Sequence, residues 1–111
     1  MRMNLKKICD DKMVTRDDGE KLNRIIRSKW DTARSFSLDF DNILVASVSF
    51  MDEAFGKLAL KYSKDDLLKK LKFENITKYD RALINDIMLS RFRQKEAAPH
   101  VTSRKKRQVA R

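Results

Sequence analysis

Phe36, Leu38 and Phe40 alternate with Ser35, Ser37 and Asp39, so SFSLDF presents one apolar and one polar face and predicts a strand over residues 35–40. Farther along, Met51, Ala54, Phe55, Leu58, Ala59 and Tyr62 fall at steps of 0, 3, 4, 7, 8 and 11, the spacing of an amphipathic helix. Leu22, Ile25, Ile26 and Trp30 follow the same rule and predict an earlier helix from Arg16 to about Trp30. Thr15 stands at its N-cap, and Asp17 and Asp18 lie in the first turn, where carboxylates complement the helix dipole.

Weaker patterns fill the remaining chain. Met3 to Cys9, with Met13-Val14, reads as short extended segments around an Asp10-Asp11 turn. Ile43 to Phe50 is apolar and β-branched with small polar interruptions, a turn and buried connection into the helix that follows. Ser63 caps a short helix, KDDLLKKL; a strand from Leu71 to Ile76 comes next, and a helix starting at Thr77 carries Leu83, Ile84, Ile87, Met88 and Phe92. Strands separated by helices predict an α/β fold, a small, mixed, largely parallel sheet with helices packed against it. One domain over residues 1–97 accounts for the core-forming positions, and residues 98–111 read as a basic tail without them.

Charge changes this picture little, because of where it sits. The net charge is +10, but Arg91 to Arg111 holds eight Lys/Arg against one Glu, which leaves +3 for residues 1–90. A lone Cys9 offers no internal disulfide, and neither a secretory h-region nor a stretch of spanning length is present, so the chain reads as cytoplasmic.

Three separated stretches carry a resemblance: Thr15, Arg16 and Gly19 at a helix start, Leu38 to Phe40 in a strand, then Ser49, Phe50, Asp52, Glu53, Phe55 and Gly56. Together they resemble a STAS-like family of unknown function, related to the sulfate-transporter and anti-sigma-factor-antagonist module, over about Met13 to Phe92. The resemblance implies a STAS-like sheet and a non-enzymatic adaptor that binds a protein partner, a GHKL-type ATPase or kinase or a related regulator. In the antagonists it resembles, a serine in an Asp-Ser-Ser/Thr-Gly loop at the helix start is phosphorylated by that partner. Aligning Phe50-Met51-Asp52 with the loop puts Glu53 at the serine position and Ala54 after it, with no hydroxyl to accept phosphate. The implied partner-binding residues are Ser49, Asp52, Glu53 and Phe55, with Asp39 at the preceding strand end. Capping and charging of the helix start accounts for Asp52 and Glu53 equally well.

Other chemistry finds little support. His100 and Cys9 lie at opposite ends, so neither a His/Cys metal site nor a nucleophile activated by histidine is expected, and no catalytic residue is assigned. Asp39, Asp41, Asp52 and Glu53 could gather at the mouth of the sheet, the one arrangement that would suit Mg²⁺ or acid and base work. Two glycines cannot form a phosphate-cradling loop, and no cofactor is expected. A second reading has nucleic acid bound by Arg91 and Arg93 of the last helix and Arg104, Lys105, Lys106 and Arg107 of the tail. A third makes the chain a phage- or defence-encoded protein inhibitor. Trp30 either closes the core or anchors an interface.

Overall fold

The computed structural model describes residues 1–9 and 14–97. Along the chain run β1 (Arg2–Asn4), α1 (Leu5–Ile8), α2 (Arg16–Ser28), β2 (Phe36–Asp39), α3 (Val48–Met51), a π-helical turn (Asp52–Gly56), α4 (Lys57–Lys61), α5 (Lys64–Lys70), β3 (Leu71–Glu74) and α6 (Lys78–Ala97). The α/β expectation holds: three parallel strands in the order β1-β2-β3 form the sheet. Met3, Leu38 and Phe73 share one row of the ladder, and Asn4, Asp39 and Glu74 the next.

The alternating strand is the central one, and Phe36, Leu38 and Phe40 are all buried beneath the helices. Helix α2 starts where the sequence places it, because Thr15 Oγ1 accepts the Asp18 amide at 3.2 Å while Asp18 Oδ2 accepts the Thr15 amide at 3.1 Å. Its Leu22 and Ile26 enter the core with Trp30, which closes it. The indole stacks on Tyr62 with centroids 3.9 Å apart and on Phe36 at 5.8 Å, so Trp30 is a core residue rather than an exposed anchor.

Four expectations need correction. Of Met3 to Cys9, only the first residues are extended: the Asn4 side chain accepts the Lys7 amide at 3.0 Å and starts α1 instead. The connection before the central helix is not buried throughout; Val45 is, but Leu44 and Val48 face solvent. The strand after α5 ends at Glu74, since Asn75 adopts a left-handed φ of 55° that breaks the ladder. Finally, the helix expected from Met51 starts at Val48 and is not regular. The Lys57 amide bonds Asp52 O, five residues back, and this widened turn buries the consecutive residues Glu53, Ala54, Phe55 and Gly56. Met13 and the tail from residue 98 lie outside the described residues.

Glycine explains how the wide turn is enclosed. A Cβ on Gly19 would sit 2.5 Å from the carbonyl oxygen of Phe50, so α2 lies directly against the backbone of α3. A Cβ on Gly56 would come within 3.1 Å of Ile87 on α6. The central helix is thereby clasped from both sides, with the sheet against its apolar face.

Candidate functional site

Between β2 and α3 the chain makes a loop that its own residues would not hold unaided. Asn42 and Ala46 both have positive φ, 62° and 46°, and an alanine in that region costs about 1–2 kcal/mol. Asp80, fully buried on the first turn of α6, compensates: its Oδ2 accepts the Val45 amide and its Oδ1 the Ala46 amide, each at 2.8 Å. Ser47 then caps α3 by accepting the Phe50 amide at 3.2 Å. The result is a fixed loop that holds Leu44 and Val48 in solvent, 57% and 62% exposed, with Ser49 exposed beside them.

Asp80 was not among the residues the sequence singled out. Thr77-Lys78-Tyr79-Asp80 reads as ordinary N-terminal capping, and the Asp80 amide does bond Thr77 Oγ1 at 3.1 Å. Its carboxylate is used elsewhere, across 34 and 35 residues of chain, and no local pattern encodes that.

The acidic residues named from the sequence do not form one cluster. Asp39 lies at the end of β2, where Oδ1 accepts from Asn75 Nδ2 at 2.9 Å and from the Asp41 amide at 3.0 Å, and Oδ2 meets Arg2 at 3.2 Å. The Asn75 bond first, then the Asp41 amide, and further the charge of Arg2 hold its carboxyl below the usual aspartate value against the opposing effect of burial. Glu53 is 4% exposed and meets two of the chain's own cations, Lys57 Nζ at 2.6 Å and Arg16 Nε at 3.6 Å. Asp52 takes Arg91 in a two-pronged pair, with Nε 2.7 Å from Oδ1 and Nη2 bonded to Oδ2. That bond raises the already high pKa of the guanidinium. Among the described residues no group of three His, Cys, Asp or Glu could hold a metal ion.

Two assignments from the sequence are therefore corrected. Phe55 is completely buried, its ring edge-on to Phe73 at 5.4 Å, and has no surface left for a partner. Glu53 lies well inside the helix that Ser47 begins, so it does not occupy a helix start and its carboxylate is already neutralised. Ser49 remains at the surface, and Asp52 at the edge of a groove of about 400 Å³ with Val48, Asp86, Ile87, Ser90 and Arg91.

The basic residues of α6 divide similarly. Arg91 is held by Asp52, and Lys95 Nζ donates to Tyr62 O at 3.0 Å, whereas Arg93 is exposed. Arg104, Lys105, Lys106 and Arg107 lie outside the described residues. No described helix is long and apolar enough to cross a membrane.

No curated protein and no solved structure matches the chain. The sequence model of one family does, over residues 18–81, a span that takes in α2, the central strand, the fixed loop, the π turn and Asp80. With more than half its length matched, and with three parallel strands under helices as that fold requires, this chain belongs to the family of STAS-like domains of unknown function.

Proposed function

We propose that the chain is a non-enzymatic regulatory adaptor of the cytoplasm that docks a protein partner through the loop and helix start at residues 41–52. The observation that carries this reading is the pair of large apolar side chains, Leu44 and Val48, held in solvent on a loop fixed by a buried carboxylate. Holding Leu44 and Val48 in water contributes nothing to the fold, whereas a partner that covers them meets a surface already in its bound shape. Ser49 and the Asp52–Arg91 pair supply a polar margin beside them, the usual make-up of an interface with an apolar centre.

Resemblance to the anti-sigma antagonists supplies the partner class, a GHKL-type ATPase or kinase. In this reading Asp39, Glu53 and Phe55 support the surface from within and do not touch the partner. Binding measured by interferometry against GHKL-type ATPases of the same genome tests it. Leu44→Glu and Val48→Glu are each expected to weaken the complex about tenfold or more, while Leu68→Glu, an exposed apolar control, leaves it unchanged. Equal affinity of all three folded variants would remove the loop from the account.

A further inference from the structure

We infer that the face shared by α2 and α4 binds the phosphate backbone of nucleic acid without reading its sequence, a second surface independent of the loop above. A groove of about 350 Å³ separates the two helices, lined by Glu20, Asn23, Arg24, Arg27, Lys57 and Lys61. Helical spacing builds both walls: Glu20, Arg24 and Arg27 recur at i, i+4 and i+7 on α2, and Lys57 and Lys61 at i and i+4 on α4.

Charge in this groove is not balanced internally. Arg24 is paired with Glu20 at 3.2 Å, and Glu53 is shared by Lys57 at 2.6 Å and Arg16 at 3.6 Å. Of the groove's lining residues, one carboxylate, Glu20, thus faces four cations, and among the described residues neither Arg27 nor Lys61 has a carboxylate within salt-bridge reach. Asn23, buried in the groove floor, orients Arg27: its Oδ1 accepts Nε at 2.7 Å while its Nδ2 donates to Ala54 O of the π turn at 3.2 Å. Nη1 and Nη2 of Arg27 keep no acceptor among the described residues, which leaves a held guanidinium with two donor nitrogens available to a phosphate.

The lining favours phosphate over protein. It contains no apolar or aromatic side chain, so a protein partner would find nothing to desolvate as an anchor. It also offers nothing for a base to stack on, hence binding through the backbone alone. The basic residues of α6, in contrast, are partly consumed: Arg91 by Asp52 and Lys95 by Tyr62 O. A net charge of +10 draws any polyanion toward the chain, and the α2–α4 groove brings together two unpaired cations, Arg27 and Lys61, one of them already oriented by a buried side chain.

Fluorescence anisotropy of the full chain with a labelled single-stranded DNA oligonucleotide, titrated over a range of salt, tests the assignment. Arg27→Glu combined with Lys61→Glu is expected to weaken binding about tenfold or more at low salt and to flatten the logarithmic salt dependence by about 1.4, roughly 0.7 for each phosphate lost. Lys72→Glu combined with Lys78→Glu removes the same charge from β3 and α6, outside the groove, and should leave the slope unchanged. Circular dichroism checks that both exposed double variants fold. Equal weakening and equal slopes for the two pairs would assign the attraction to net charge or the tail and overturn the proposal, as would no binding at low salt. Displacement of the DNA by a glutamate-rich peptide at equal charge concentration would also overturn it, in favour of an acidic protein ligand.

Discussion

Asp80→Ala removes both acceptors that hold the loop before α3, and its cost can be worked from the structure. Each bond from a backbone amide to the buried carboxylate contributes about 1.5–3 kcal/mol, so the pair contributes roughly 3–6 kcal/mol. Part of this returns, since the released loop lets its amides reach water and lets Ala46 leave its left-handed conformation, a relief of about 1–2 kcal/mol. A net loss of about 2–4 kcal/mol is expected, a large fraction of the stability of a chain this size. Asp80→Asn keeps one acceptor but turns an amide donor toward the other backbone N–H, so it should fall between wild type and alanine. Urea unfolding followed by circular dichroism measures the loss, and amide hydrogen exchange locates it: Val45 and Ala46 should lose protection while Leu38 in the central strand keeps it in proportion to global stability. A loss below about 0.5 kcal/mol with Val45 and Ala46 still protected would refute the reasoning, because the carboxylate would then not be what holds the loop.

Gly19→Ala should destabilise the fold by about 1–3 kcal/mol in the same urea assay although alanine favours helices by about 1 kcal/mol, since its Cβ would meet a backbone carbonyl oxygen that cannot swing aside; unchanged or raised stability would show that α2 and α3 can separate at no cost. Asp39 provides a test by pH. Its folded pKa is depressed, so its contribution is complete above the unfolded aspartate value near 4 and is lost as pH falls through the lower folded value. Asp39→Asn should therefore be less stable than wild type near neutrality, with the gap narrowing on acidification, as followed by thermal unfolding; a gap that does not change with pH would remove Asn75, Asp41 and Arg2 as the cause.

Strict alternation around Leu38 located the central strand, and Thr15 followed by the first-turn acids Asp17 and Asp18 located the start of α2, because each element is specified by neighbours in sequence. The π turn was not legible: Met51, Ala54, Phe55, Leu58 and Ala59 satisfy a regular helix equally well, and the widening arises from what clasps the helix, Gly19 on one side and α6 on the other. The same holds for the site. Composition could name Asp39, Asp52 and Glu53 as acids near a helix start, but which cation each would meet depends on Arg2, Arg91 and Arg16, brought in by topology. Phe55 was read as a contact residue because resemblance placed it in a motif, and burial makes it part of the core. Leu44 and Val48 were read as buried because their residue type favours it; only the carboxylate of Asp80, from a distant element, turns that loop outward.

The clasp around the π turn has a bearing on where this unit can be divided. Similarity to the family runs out at residue 81, four residues into α6, yet Ile87 beyond that point covers one flank of the wide turn and Arg91 neutralises its first carboxylate. A fragment trimmed to the shared segment would keep the loop's anchor and lose the wall behind it. The stretch matched by the family is therefore shorter than the stretch that encloses the wide turn.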